Sequence, residues 1–148
     1  MAEHFLNDQI VGQVRQVFER LQEPVQLLFF NDKNDCDFCA DTQQLLEEVT
    51  AISDKLGLTV FDLETDAEVA RQYHVDKAPG LVLAGKKDTE LIDFGIRYSG
   101  IPSGHEFSSL IHSLVLVSGR DSQLRQQTRD FLAGLKEPVH LQVFVTPT

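Results

Sequence analysis

The sequence predicts a small α/β sandwich in which helices cover a central four-stranded sheet of mixed direction. Three observations point to it: short apolar runs of strand length, amphipathic stretches at helical spacing between them, and Gly- or Pro-containing turns at their ends. The chain has 148 residues, which suffices for one ordinary domain. A chain of this length buries about 68–70% of its extended surface, so it needs no disulfide to hold a core.

The first half of the chain alternates between helical and strand-like patterns. Apolar side chains at helical spacing predict an amphipathic helix over residues 7–21. Residues 25–30 form an apolar run that is long enough for a buried strand and too short for a helix. A second helix is expected to begin at Cys36 and to end at Gly57, and a second strand follows over residues 58–63.

The second half continues with a short helix over residues 66–74 and a third strand over residues 81–84. A turn at residues 85–88 leads into a fourth strand over residues 89–96, and a last helix follows residues 102–104. The helix between the first two strands favours their parallel pairing. The short turn between the last two favours an antiparallel hairpin.

The end of the chain repeats its beginning at an offset of 114 residues. The pattern Glu-Pro-Val-x-Leu-x-x-Phe at residues 23–30 recurs at residues 137–144. Apolar positions of the preceding helix match as well: Val17 with Phe131, Phe18 with Leu132, and Leu21 with Leu135. We therefore predict one unit over residues 1–117 and, over residues 118–148, the helix and strand that open an incomplete second unit. Chance similarity between two helix–strand pairs is the alternative.

The apolar strand expected at residues 139–145 has no sheet of its own. Such an unpaired edge can dock on the first unit, pair with a second chain or fray. We expect it to pair with another copy, which makes residues 121–148 a candidate homodimer contact. At the same offset, a counterpart of Cys36 would lie just beyond Thr148.

Negative charge is concentrated in one segment of the chain. Thirteen Lys and Arg stand against 23 Asp and Glu, which gives a net charge of −10. Residues 32–68 hold eleven of these acids and two of the bases, and so carry −9. The excess of acids argues against a nucleic acid or an anionic membrane as partner. The sequence shows neither an apolar run of membrane-spanning length nor a signal-peptide pattern, so we expect a cytoplasmic protein.

The strongest chemical signal is Cys36-Asp37-Phe38-Cys39, which follows the first strand. At a helix start, unpaired backbone N–H groups and the helix dipole favour a thiolate on the first sulfur. Cys36 would attack a substrate disulfide. Cys39, which we expect to be more buried, would resolve the mixed disulfide.

Two alternatives stand beside this redox interpretation. The cysteines could be half of a zinc site, although no second Cys pair exists to complete it. His74, His105 or His112 could supply further ligands, but their spacing to the cysteines is not typical of a metal site. The cysteines could also be two inert core thiols. We predict no metal and no cofactor.

Charged neighbours are expected to tune the reactive sulfur. Asp35 and Asp37 oppose the helix dipole and should raise the pKa of the Cys36 thiol, an effect that Lys33 offsets in part. A less stabilised thiolate makes the disulfide a weaker oxidant. The alternative is that Asp37 points into water, where its charge is screened.

A second signal is Lys77-Ala78-Pro79-Gly80, just before the third strand. Proline has no N–H to give to a sheet, so it belongs at the first position of a strand. X–Pro bonds are trans by default. A Cys-x-x-Cys, then a β-α unit, then X-Pro at a strand start resembles the arrangement of thioredoxins and glutaredoxins. This resemblance implies a cis Ala78–Pro79 bond that faces the disulfide, with the backbone of Ala78 free to pair with an extended substrate.

Residues 93–107 and 143–148 resemble the protein disulfide oxidoreductases of archaea and thermophilic bacteria, also called glutaredoxin-like proteins. Those chains hold two tandem thioredoxin-fold units, each with its own Cys-x-x-Cys. The resemblance covers essentially the whole chain. It implies a thioredoxin-like α/β/α sandwich that acts as a protein-disulfide oxidoreductase in cell redox homeostasis. It assigns Cys36 as nucleophile, Cys39 as resolving thiol and Pro79 as cis proline.

The partners that this resemblance implies are protein disulfides or dithiols and a thioredoxin-reductase-like or NADPH-linked reductase. Glutathione is not expected, since an acidic site should repel an anionic tripeptide. The alternative is a non-autonomous relay or scaffold unit that passes electrons to a second thioredoxin-fold unit or to a peroxiredoxin. The tandem domain of peroxide-reducing flavoenzymes works in this way.

The chain departs from these families in three respects. It has no second Cys-x-x-Cys and no tryptophan, and Phe30 stands six residues before Cys36, where thioredoxins keep a buried acid. Without a second Cys-x-x-Cys, this sequence cannot pass electrons between two active sites of its own, as the tandem proteins do. The last leaves the general base for Cys39 open.

Overall fold

The computed structural model describes residues 4–146 and shows four strands in one mixed sheet within them. The strands are β1 (Val25–Asn31), β2 (Leu56–Asp62), β3 (Gly80–Lys87) and β4 (Glu90–Ser99). Their order across the sheet is β2-β1-β3-β4. β1 is parallel to β2 and antiparallel to β3, and β3 pairs antiparallel with β4. The predicted parallel pair and final hairpin are thereby confirmed.

Five helices accompany the sheet in the described part of the chain. They are α1 (Asp8–Phe18), α2 (Cys39–Thr50), α3 (Ala67–Gln72), α4 (His105–Gly119) and α5 (Gln126–Ala133). The side chain of Asn7 begins α1 by accepting the backbone N–H of Ile10 at 2.9 Å. The helices lie where the apolar spacing predicts them but are shorter than the pattern. Gly57, which the sequence assigns to the end of α2, lies within β2.

Successive side chains of β1 enter two separate cores. Val25, Leu27 and Phe29 pack with buried residues of α1, α2 and α4 on one face of the sheet. Leu28 and Phe30 pack with residues of α3 and its surroundings on the other face. Because alternate residues of a strand point to opposite faces, one apolar run serves both layers. This explains why the run is continuous instead of alternating with polar residues.

The turn of the β3–β4 hairpin lies at residues 88–89, because β3 continues through Gly85, which the sequence pattern assigns to the turn. A Cβ on Gly85 would lie 2.5 Å from Cζ of Arg120. The guanidinium of Arg120 uses this space to donate to the backbone carbonyls of Pro24 and Lys86, at 3.1 and 3.2 Å. Glycine at this position therefore leaves room for the guanidinium of Arg120 and does not form the turn.

The C-terminal segment differs from the prediction. The predicted helix is present as α5, but none of its residues is buried. The strand expected at residues 139–145 is not formed in the described chain, and its side chains are exposed. An extended segment becomes a strand only when a neighbour accepts and donates its backbone hydrogen bonds, and this segment has no neighbouring strand within residues 4–146. The homodimer contact through residues 121–148 stays a prediction, and its last two residues lie outside the described residues.

None of the helices found between residues 4 and 146 combines the length and the apolar composition needed to cross a bilayer.

Candidate redox site

Cys36 and Cys39 meet at the carboxyl end of β1, where the chain enters α2. Their sulfurs form a disulfide, and their Cα atoms lie 5.5 Å apart. The helix begins at Cys39 and not, as the sequence predicts, at Cys36, which occupies the turn before the helix. Cys39 is only 7% exposed, whereas Cys36 is half-buried. The more accessible sulfur therefore belongs to the residue that the sequence assigns as nucleophile.

The first turn of α2 is held by Thr42. Its backbone N–H and its Oγ1 both donate to the carbonyl of Phe38, at 2.9 and 2.6 Å. Thr42 itself is fully buried, while Phe38, which lies between the cysteines, is 56% exposed. The first turn of α2 is thus fixed by hydrogen bonds, and the residue before Cys39 presents an exposed aromatic side chain.

The loop between β1 and Cys36 is fastened by carboxylates. Asp32 Oδ1 accepts the backbone N–H groups of Asn34 and Asp35, at 2.8 and 3.3 Å. The side chain of Asn34 donates to Glu64 at 2.8 Å, which ties the loop to the segment after β2. Part of the acidity around the cysteines therefore has a structural use.

Asp62, the last residue of β2, supports the same loop from inside. It is 6% exposed, and its carboxylate accepts the backbone N–H groups of Thr65, Glu64 and Lys33 at 3.1, 3.0 and 3.3 Å. The hydrogen bond from Thr65, with those from Glu64 and Lys33, lowers the pKa of Asp62 below its ordinary value. Asp62 is therefore an ionised anchor of the loop.

The residues predicted to tune the site surround it. Lys33, Asp35 and Asp37 all lie on the loop or in the turn between the cysteines. Their influence on the Cys36 thiol stays a prediction.

The second predicted motif lies on the same side of the sheet. The Ala78–Pro79 peptide bond is cis, and Pro79 is buried immediately before β3. Ala78 is half-buried and packs against the core cluster that contains Cys39 and the partly buried Cys36. The carbonyl of Pro79 accepts the backbone N–H of Gly100 at 2.9 Å. The two predicted motifs thus meet at one end of the sheet.

The alternative of a zinc site needs further ligand side chains beside the two cysteines. Among the described residues, no three side chains of His, Cys, Asp or Glu are grouped so that they could hold a metal ion. The histidines proposed as further ligands therefore do not gather at the cysteines.

The position at which thioredoxins keep a buried acid lies away from Cys39 in this chain. Phe30 lies in the core on the opposite face of the sheet from Cys39. Asn31, the next residue, shares a face with Phe29 and hence with Cys39, and its side-chain oxygen is buried. Sequence reasoning missed Asn31 because it counted residues back from Cys36 and did not follow the alternation of β1.

No family model matches the sequence. The chain is 29% identical over 143 residues to the F component of alkyl hydroperoxide reductase from Staphylococcus epidermidis, and the match covers 97% of this chain and 25% of that protein. The chain therefore spans about a quarter of the length of this curated relative.

Two solved structures share the fold. The NTD_N/C domain of the alkylhydroperoxide reductase AhpF from Enterococcus faecalis superposes with a TM-score of 0.75 at 27% identity, over 85% of this chain and 59% of that one. A protein disulfide oxidoreductase from Aeropyrum pernix superposes with a TM-score of 0.77 at 23% identity, over 91% of this chain and 59% of that one. The chain thus has a thioredoxin-like α/β fold with a Cys-x-x-Cys disulfide.

Proposed function

We propose that this chain is a thiol-disulfide oxidoreductase that exchanges the disulfides of other proteins through Cys36 and Cys39. The observation that carries the proposal is the unequal pair of sulfurs: Cys36 is accessible in the turn before α2, and Cys39 is buried at the start of the helix. Nucleophilic attack needs an accessible thiolate, and resolution needs a second thiol held within reach.

In the reduced protein, the Cys36 thiolate attacks one sulfur of a substrate disulfide and displaces the other as a thiolate. Cys39 then loses its proton and attacks Cys36 Sγ in the mixed disulfide, which releases the second substrate thiolate. Two electrons pass from the protein dithiol to the substrate, and the protein returns to the disulfide state.

Ala78 and Pro79 are the proposed substrate-binding residues. They lie just before the first residue of β3, and Ala78 packs against the core cluster that contains Cys39 and Cys36. Proline offers no N–H to a neighbouring strand, so an extended substrate segment would pair with the backbone of Ala78.

An insulin reduction assay with dithiothreitol as electron source tests this function. We expect the wild type to exceed the Cys36→Ser variant clearly. The Cys39→Ser variant should accumulate a mixed disulfide with its substrate, visible by mass spectrometry. Activity of the wild type equal to that of Cys36→Ser would overturn the proposal.

The charged neighbours give the site a modest, thioredoxin-like reduction potential in this proposal. Replacing Asp37 by Asn should lower the pKa of the Cys36 thiol and raise the reduction potential, since a repulsive charge next to the thiolate is removed. Asp88→Asn in the β3–β4 turn is the matched control. An unchanged thiol titration in Asp37→Asn would contradict the electrostatic argument.

A second candidate function is that of a relay or scaffold unit. Two observations favour it: the similarity to a quarter of the F component of alkyl hydroperoxide reductase, and the repeat of α1 and β1, of which α5 has no buried residue and residues 134–146 are exposed. In this proposal residues 118–148 open a second thioredoxin-fold unit, to which the first unit passes electrons. A thioredoxin-reductase-like or NADPH-linked reductase would supply them.

The two candidates differ in what they need for turnover. The chain is mixed with a complete second thioredoxin-fold unit, or with a peroxiredoxin. NADPH consumption is then followed in the presence of an NADPH-linked reductase of the thioredoxin-reductase type. Electron transfer that appears only with the second component favours the relay. If the chain reduces insulin equally well without the second component, the autonomous enzyme is favoured.

A further inference from the structure

The side-chain oxygen of Asn31 has no hydrogen-bond donor. Its Oδ1 is buried and accepts no hydrogen bond from any described residue. It is the single buried side-chain nitrogen or oxygen atom in this condition within residues 4–146. Buried polar groups in folded proteins are almost always paired, so an unpaired one marks a place where a donor is missing in the observed state.

The sheet places Asn31 at the redox site. Asn31 ends β1, five residues before Cys36, on the face that carries Phe29 and the core cluster of Cys39. Pairing of Phe30 with Gly80 brings Asn31 to the level of Pro79 on the neighbouring strand. On its other side, Asn31 is in register with Asp62 of β2. Asn31 therefore lies between Asp62 and Pro79 at the end of the sheet where the cysteines are found.

The polar side chains near Asn31 and Cys39 already take part in hydrogen bonds. The carboxylate of Asp62 accepts three backbone N–H groups of the loop. The hydroxyl of Thr42 donates to the carbonyl of Phe38, although its oxygen can still accept. Phe30 lies in the opposite core and has no polar atom in its side chain. Among these side chains, the oxygen of Asn31 is the polar atom that has no partner at all.

We propose that Asn31 is a positioning residue for the resolving cysteine, and that in the dithiol state the Cys39 thiol donates its hydrogen to Asn31 Oδ1. The inference rests on the proposed dithiol–disulfide exchange. In the disulfide, Sγ of Cys39 carries no hydrogen, so the oxygen has no donor. Reduction adds two electrons and two protons, one of which supplies the missing donor on a buried sulfur.

The hydrogen bond has a definite place in the exchange. It keeps Cys39 protonated while the Cys36 thiolate attacks the substrate R–S–S–R′ and displaces R′–S⁻. This departing thiolate takes the proton from Cys39 and becomes R′–SH. The Cys39 thiolate then attacks Cys36 Sγ, closes the protein disulfide and releases R–S⁻. The amide of Asn31 takes no proton; it holds the thiol and favours the dithiol state over the disulfide.

The redox equilibrium of the full chain with glutathione tests this role. Asn31→Leu removes the acceptor without leaving a large cavity, and Asn31→Asp keeps an oxygen there. Gln13→Leu replaces an amide by leucine at an exposed position of α1, outside the loop that carries Cys36. We expect Asn31→Leu to shift the equilibrium about fivefold toward the disulfide, which is about 20 mV at 29.6 mV per tenfold change. Asn31→Asp and Gln13→Leu should show no shift in that direction.

A direct measurement tests the hydrogen bond itself. In the Cys36→Ala background, Cys39 is the one thiol of the chain, and its S–H stretching band is recorded by infrared spectroscopy. The band should lie at lower frequency with the native Asn31 than in the Asn31→Leu variant, and lower still in the Asn31→Asp variant. If Asn31→Leu does not fold, the comparison of the native side chain with Asn31→Asp decides.

An equilibrium and an S–H band that are unchanged in both Asn31 variants would overturn the inference while leaving the proposed function intact. A wild type that does not reduce insulin better than Cys36→Ser would overturn the proposed function, and the infrared band would still report whether the hydrogen bond exists.

Discussion

The helix–strand pair at the start of the chain and its repeat near the end carry the same apolar pattern in opposite environments. Leu27 and Phe30 of β1 are completely buried, whereas their counterparts Leu141 and Phe144 are 86% and 88% exposed. α1 buries two of its apolar side chains, and α5 buries none of its residues. The first copy forms a strand, and the second remains extended without pairing.

The difference shows what the pattern specifies and what it lacks. The spacing of apolar residues determines which side chains of a helix or strand can face a core. The other helices and strands that complete that core must come from elsewhere in the chain. β1 lies between β2 and β3, which satisfy its backbone groups on both sides. Residues 139–145, which match β1, have no neighbouring strands within the described residues, so neither strand pairing nor burial stabilises them.

The largest expected difference between the copies concerns their matched leucines. Leu27→Ala should lower the free energy of unfolding by about 2–5 kcal/mol, because it opens a cavity in the core. Leu141→Ala, the matched control, should change it by no more than about 0.5 kcal/mol. Urea unfolding followed by circular dichroism measures both. A similar loss in the two variants would show that residues 139–145 are packed in solution.

A smaller difference is expected at the entry to β1. The buried hydroxyl of Ser118 accepts the backbone N–H of Gln22 at 2.8 Å and donates to the carbonyl of Glu23 at 2.6 Å. Ser118→Ala should destabilise the fold by about 1–3 kcal/mol, because both hydrogen bonds of this buried hydroxyl are lost. The same urea unfolding experiment measures this loss.

Ser122 provides the control for this substitution. Its hydroxyl accepts the N–H of Leu124 at 3.3 Å in an exposed turn, so Ser122→Ala should change the free energy of unfolding by less than about 0.5 kcal/mol. Equal effects of the two serine variants would argue against anchoring of the first copy by α4.

The loop that leaves β1 gives a pH-dependent test. The pKa of Asp62 is lowered in the folded state, so its contribution to stability is present above the unfolded value of about 3.9 and is lost as pH falls through the lower folded value. Asp62→Asn should therefore be less stable than the wild type at neutral pH, and the gap should narrow below about pH 4. Unfolding in urea across this range measures it. A gap that stays constant with pH contradicts the role of the carboxylate charge.

The smallest effect is expected from removing the second copy. Deletion of residues 123–148 should change the free energy of unfolding by less than about 1 kcal/mol, since α5 and residues 134–146 are exposed. Insulin reduction should persist. Light scattering of the two forms also tests the homodimer contact: the same oligomeric state in both forms, at every concentration, contradicts pairing through residues 121–148.

Much of the fold follows from local patterns. The four apolar runs predict the four strands, and the Cys-x-x-Cys and X-Pro motifs predict where the site lies. The pattern misplaces Gly85 in the turn, because the space that this glycine leaves is used by Arg120, a residue 35 positions later in the chain. It overlooks Asn31 for a related reason: the importance of Asn31 depends on which face of the sheet Cys39 covers, and the packing of α2 decides that.

Local sequence is enough to locate the strands and helices, the cysteine pair as the chemical centre, and the repeat at the end of the chain. These are properties of neighbouring residues and of their spacing. Three-dimensional packing settles which copy of the repeat is buried, which sulfur is exposed, and which polar atom at the end of β1 lacks a partner. Burial and hydrogen-bond satisfaction depend on residues that are distant in the chain, and folding alone brings those together.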